Sequence, residues 1–206
     1  MDFTFATAAI VFGAIFFVEL PDKTFVATLV LATRFRPLFV WIGVSLAFLV
    51  QTVVAVTVGG LLAQLPRRPV EAFAALMFLV GGIILIAGAK KADAEEKETE
   101  EEFAHKGARG AVGLKAIAVS FSILFLAEWG DLSQLLTASM VLRYHEPFSV
   151  FVGAFVALAT VSALGALVGR ALLAKVHLSV IRRIGGGVCL VLALVTGLQV
   201  IGVIGA

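Results

Sequence analysis

Two hexapeptides set acids inside otherwise apolar sequence: Glu19-Leu20-Pro21-Asp22-Lys23-Thr24 and Glu128-Trp129-Gly130-Asp131-Leu132-Ser133. Four carboxylates with hydroxyl and amide neighbours make a hard oxygen site, suited to Mn²⁺, Ca²⁺ or Mg²⁺. Thr24, Ser133, Gln134 and Gln51 are the neighbours that could support such a site. Zinc and copper are poor candidates, because the single cysteine, Cys189, and the three histidines, His105, His145 and His177, all lie outside the acid stretches. Cys189 reads as a small buried side chain and the histidines as interfacial residues.

A carboxylate at the bilayer centre costs at least ~2.5 kcal/mol, so Glu19, Asp22, Glu128 and Asp131 left unpaired would cost on the order of 10 kcal/mol together. One such acid is readily explained as structural; two matching pairs argue for a role. On a helix the i, i+3 spacing puts Glu19 and Asp22 on one face, and likewise Glu128 and Asp131, so each helix is expected to offer a pair of oxygen ligands to one side. Pro21 lacks an amide donor and disfavours the preceding turn, which frees the Phe17 carbonyl and bends or breaks the helix there. Gly130 loosens the matching place in the second copy. Unravelled backbone at membrane depth is tolerated where it is buried in protein or lines a cavity, and transporters use such breaks to coordinate ions.

Charge suggests how such a site would work. With Lys23 as internal counter-ion, the four acids leave three net negative charges, and a divalent ion leaves one. Protons and metal compete for the same oxygens, so loading metal expels protons. Exchange of about two protons per ion would keep the site charge constant.

The elements that must carry these residues follow from composition. The chain of 206 residues is 61% hydrophobic and 15% charged, with a mean hydropathy of +1.08, which marks an integral membrane protein. Apolar runs at about 4–33, 37–61, 70–89, 114–142, 147–170 and 181–204 each approach or exceed the ~20 residues that span hydrocarbon. Their continuous apolar character excludes a barrel of alternating strands. The first run opens Met1-Asp2-Phe3 without a basic segment and is too long for a signal peptide, so it is expected to remain in the mature protein. A net charge of +2 gives no reason to expect nucleic acid as a partner.

The predicted fold is an all-α membrane protein of six transmembrane helices. Residues 1–90 form a first three-helix repeat, 91–113 a charged cytoplasmic linker, and 114–206 a second three-helix repeat. The linker holds the acidic run DAEEKETEEE at 93–102, which reads as a solvated tether. Loops after the first, third and fifth helices carry twelve Lys and Arg against three on the other side, which predicts both termini outside. A bacterial inner (plasma) membrane is the expected location.

Sliding the first half by 109 positions lays Glu19, Asp22, Thr24 and Thr28 on Glu128, Asp131, Ser133 and Thr137, and Arg34 on Arg143. One further residue of shift aligns Gly43 with Gly153 and Gly59 with Gly169. Repeats of three helices, an odd number, must be inverted relative to each other, so the two acid pairs face each other across a pseudo-two-fold axis. Gly81, Gly82 and Gly185-Gly186-Gly187 are expected to let helices approach closely.

At these residues the chain resembles the calcium/manganese:proton antiporter family, the transmembrane protein 165-like cation exchangers, marked by a duplicated E-x-G-D-[KR]-[TS]. The first copy reads E-L-P-D-K-T at 19–24 and the second E-W-G-D-L-S at 128–133, followed by Gln134. Pro21 replaces the motif glycine in the first copy, and Leu132 replaces the basic residue in the second. The resemblance implies a transporter without a resident cofactor, whose substrates are a divalent metal ion and protons. It implies export of Mn²⁺, or Ca²⁺, from the cytoplasm against protons, and leaves a homo-oligomer open.

Other readings of the same acids are a Ca²⁺-selective exchanger, an exporter of a small cationic solute, and a channel with acidic rings. An intramembrane aspartyl protease would use Asp22 and Asp131 but gives Glu19 and Glu128 no role.

Overall fold

The computed structural model describes residues 3–20, 22–64, 66–91, 101–102, 113–173 and 178–201, without the side chains at 23, 67, 70, 71, 169–173, 178 and 181. Every regular element among them is helical: α1 (Phe5–Glu19), α2 (Lys23–Arg34), α3 (Pro37–Leu62), α4 (Arg67–Gly88), α5 (Leu114–Ala127), α6 (Leu132–Tyr144), α7 (Pro147–Leu173) and α8 (Leu178–Val200). Most of the acidic run at 93–102, together with His105 and His177, lies outside the described residues.

The local sequence explains where these helices begin. α3 and α7 open on Pro37 and Pro147, a residue with no amide hydrogen to strand and with φ already helical. α6 ends on His145, whose φ of 54° is left-handed and stops the helix before Pro147.

Three helices are long and apolar enough to cross a membrane alone: Pro37–Leu62, Pro147–Val168 and Arg182–Val200. Two helix pairs, α1 with α2 and α5 with α6, pass the same test together but are bent sharply, by 71° and 72°, the shape of a broken span or a re-entrant loop. The sixth expected run corresponds to Ala72–Gly88, a shorter apolar helix, so the observed count is three to five candidate spans among the described residues. The protein is an all-α integral membrane protein. Side chains such as Leu46, Val53, Ile83, Leu167 and Leu194 point away from the protein, as a hydrocarbon solvent permits.

The breaks correct one sequence expectation. Glu19 and Asp22 do not share the face of a continuous helix, nor do Glu128 and Asp131. α1 ends at Glu19 and α2 starts at Lys23, while α5 ends at Ala127 and α6 starts at Leu132. The acids therefore sit at or between helix ends, because the backbone turns before an i+3 neighbour can stack.

One core joins both halves, with Val11, Ile15 and Phe25 packed among Phe48, Met140 and Val161. Its closest backbone contacts are reciprocal. A Cβ on Gly43 of α3 would lie 2.4 Å from the Ile117 carbonyl oxygen of α5, and one on Gly153 of α7 would lie 2.4 Å from the Ala8 carbonyl oxygen of α1. The 109-residue shift carries Ala8 onto Ile117, so the two contacts are copies of one another. α4 and α8 meet through Gly82 and Gly186, where a Cβ on either would come 3.0 Å from the other's carbonyl oxygen. Gly185 admits the Phe17 carbonyl, the one that Pro21 was expected to free, at 2.2 Å from its Cβ position. Gly187 faces no neighbour within 4 Å.

Candidate functional site

Each break carries one Glu at the end of a helix and one Asp at the start of the next. Asp131 is the N-cap of α6: its carboxylate accepts from the Leu132 amide and, at 3.3 Å, from the Ser133 hydroxyl. Asp22 immediately precedes α2, and its carbonyl accepts from the Phe25 amide at 3.2 Å. Both aspartates thus stand where a helix N-terminus favours negative charge. Glu19 closes α1 and Glu128 is the C-cap of α5, where the helix dipole opposes a carboxylate. A bound cation would relieve that opposition.

The fold brings the four acids to one place. One carboxylate oxygen from each of Glu19, Asp22, Glu128 and Asp131 lies within 4.8 Å of all the others. Ligands on opposite sides of a Mn²⁺ or Ca²⁺ ion stand about 4–5 Å apart, so the cluster has the dimensions of a single shared site. Glu19 and Glu128 are buried, at 0% and 1% exposure, and the aspartates are half-buried. Both Glu19 carboxylate oxygens and the Thr24 hydroxyl are buried without a hydrogen bond of regular geometry. Anionic oxygens in that condition are costly in a dry interior, and cation binding removes the cost.

The second break is held open by amides. Gln134 donates to the Glu128 carbonyl at 2.7 Å and accepts from the Gly130 amide at 3.3 Å, bracing both sides of the turn. Gly130 has φ +77°, a left-handed conformation that a side chain strains against. Gln51 of α3 donates to the Phe125 carbonyl at 3.1 Å, a group left over at the end of α5. Trp129 projects from this turn, 56% exposed, with its ring 4.8 Å from that of Phe125. Pro21 lies outside the described residues, as does the Lys23 side chain. The restarts α2 and α6 match in detail: Thr28 donates to the Thr24 carbonyl at 2.8 Å, and Thr137 to the Ser133 carbonyl at 2.7 Å.

Cavities flank the acids on two sides. One, of about 280 Å³, is lined by Asp22 and Asp131 with Val18, Ile84, Leu85, Gly88, Leu132 and Arg182. The other is a tight seam among Gln51, Thr52, Ala55, Ser133, Gln134, Thr137 and Leu158, with no space for water. Sequence reasoning found every acid of the cluster but missed Arg182, which lines the roomy cavity with Asp22 and Asp131, and Thr52, which lines the seam. The pair Arg182-Arg183 at the head of an apolar run was the signal for the first, and it reads equally as loop charge.

Comparisons with known proteins bear on the same residues. A family model described as Divalent cation/proton antiporter GDT1 matches the chain twice, at 7–93 and 116–202, stretches that begin and end 109 positions apart. The chain is 28% identical to GDT1-like protein sll0615 of Synechocystis over 176 residues, 82% of this chain and 85% of that one. It is 31% identical over 208 residues to Protein PAM71, chloroplastic, of Arabidopsis thaliana, 92% of this chain and 56% of that one. With GDT1-like protein 2, chloroplastic, of Oryza sativa subsp. japonica, the identity is 31%, over 90% of this chain and 59% of that one. The chain therefore spans little more than half the length of these plant relatives. No solved structure matches it.

Proposed function

The chain belongs to the GDT1 family of divalent cation/proton antiporters, and we propose that it exports Mn²⁺, with Ca²⁺ as the alternative ion, in exchange for protons at the four-carboxylate cluster. It is a transporter and not an enzyme, which sets aside the aspartyl protease. The observation that carries the reading is the convergence of Glu19, Asp22, Glu128 and Asp131 within 4.8 Å, at two helix breaks contributed by the two halves.

In this reading the four acids ligate the ion, while Thr24, Ser133, Gln134 and Gln51 position the breaks or complete the oxygen shell, and Lys23 offsets charge. The site requires no resident cofactor, and one copy of the chain supplies all four acids. In this reading residues 1–90 and 114–206 are two three-helix repeats, inverted across the membrane and joined by a cytoplasmic linker at 91–113, and a family model that matches once in each half supports it. The reciprocal contacts of Gly43 and Gly153 support that arrangement. The loop charges favour both termini outside, and a bacterial plasma membrane is the setting this reading assigns.

Alternating access has a physical basis in the two cavities. The roomy one adjoins Gly88 and Arg182, at the end of the molecule where the linker leaves α4. The tight seam follows α6 away from the acids toward the opposite end. The ion binds from the roomy side and leaves through the seam once the repeats rock, and protons replace it on the carboxylates.

The test is Mn²⁺ and Ca²⁺ uptake into proteoliposomes with internal pH read simultaneously, for the native chain and Asp131→Asn. Metal influx should drive proton efflux in the native chain, with a loss of about a hundredfold in Asp131→Asn. Metal flux that moved no protons would overturn the proposal.

A further inference from the structure

The two acid motifs differ in charge at one matched position. The 109-residue shift lays Lys23 on Leu132, so a cation follows the aspartate in the first copy and a leucine follows it in the second. Leu132 lines the roomy cavity beside Asp131, and the cation in that wall is Arg182, from α8. Arg182 is half-buried and donates through Nη1 to the Gly88 carbonyl at 3.2 Å, at the negative end of α4. Gly88 leaves room for this contact: a Cβ there would stand 3.2 Å from the same Nη1.

We infer that Arg182 is the second half's counter-charge, supplied from another helix to the cavity wall where Leu132 provides none. An arginine on the approach to a cation site is otherwise a poor choice, because it repels the substrate. Its positive charge offsets part of the negative charge of the acids. With Lys23 and Arg182 both counted, the four acids carry two net negative charges, and one divalent ion or two protons neutralise them. The arginine stabilises the empty site and lowers its affinity for the ion, which keeps a loaded carrier able to release. The planar fork also offers several donors to carboxylates across the cavity when the ion has gone.

This inference rests on the acid cluster being the ion site, and the experiment separates the two. Mn²⁺ binding to the detergent-solubilised full chain is measured for the native protein, Asp131→Asn, Arg182→Gln, Arg182→Lys and the double variant Arg182→Gln/Leu132→Lys. Arg182→Gln should bind Mn²⁺ about 3–10-fold more tightly, as removal of one nearby positive charge requires. Arg182→Lys should stay close to native, and Leu132→Lys in the double variant should return the affinity to the native value. If Arg182→Gln does not fold, the double variant must fold and bind as the native chain does. Native or weaker affinity in Arg182→Gln, or a double variant that is not restored, overturns the role of Arg182. Equal Mn²⁺ binding by the native chain and Asp131→Asn would instead overturn the site itself.

Discussion

The two helix breaks bend by nearly the same angle, 71° and 72°, and do so with different chemistry. The second uses a left-handed glycine, Gly130, and a glutamine that bonds both sides of the turn. At the place of Gln134 the first half has Phe25, a fully buried ring whose carbonyl lies 2.9 Å from the Cβ position of Gly165. At this matched position one break has a side-chain amide that bonds across the turn and the other has a buried aromatic ring. A duplicated scaffold can therefore keep its geometry while the forces behind it diverge, provided that the acids at its centre stay matched.

The sharpest way to break this comparison is to neutralise equivalent acids. Glu19→Gln and Glu128→Gln should each lower Mn²⁺-driven proton efflux by about a hundredfold or more, since even outer-shell losses at metal sites cost 10–100-fold. A large loss in one and a small loss in the other, read in proteoliposomes, would mean that the halves do not share one site.

Equivalence of the scaffold is tested next by Gly43→Ala and Gly153→Ala. Each new methyl would sit 2.4 Å from a backbone carbonyl that cannot move aside, so each should destabilise by about 3 kcal/mol, the upper end of overpacking costs. Thermal unfolding in detergent should show similar drops. Strongly unequal drops would argue against matched packing.

The difference between the breaks is sharpened by Gln134→Leu. It strips the Glu128 carbonyl and the Gly130 amide of their partner and should cost about 1–2 kcal/mol, with weaker Mn²⁺ binding. Unchanged stability and binding would show that packing alone holds the second break.

Much of this was readable in the sequence because membrane burial makes polar residues conspicuous. Glu19, Asp22, Glu128 and Asp131 stood out against hydrocarbon-length runs, and the 109-residue echo paired them before any coordinates. The rule that stacks i and i+3 on one face failed because it assumes the helix continues, and here the chain turns at the acids themselves. The roles of Gln134 and Gln51 as braces depend on which carbonyls a break strands, and a spacing rule does not carry that information. Arg182 was hidden for a different reason: its partners at the cavity, Asp22, Leu132 and Gly88, are brought to it only by tertiary packing. Charge counted along the chain assigned it to a basic loop.

Trp129 is one of two tryptophans in the chain, and it sits in the second turn between Glu128 and Gly130. The other, Trp41, is engaged far along the sequence through its indole nitrogen, which donates to the Ala159 carbonyl at 3.0 Å. The protein thus carries its own optical probe one residue from an acid of the cluster. The emission of Trp129 will follow the turn as it tightens or relaxes, giving a label-free signal from beside the acids once Trp41→Phe has removed the other tryptophan.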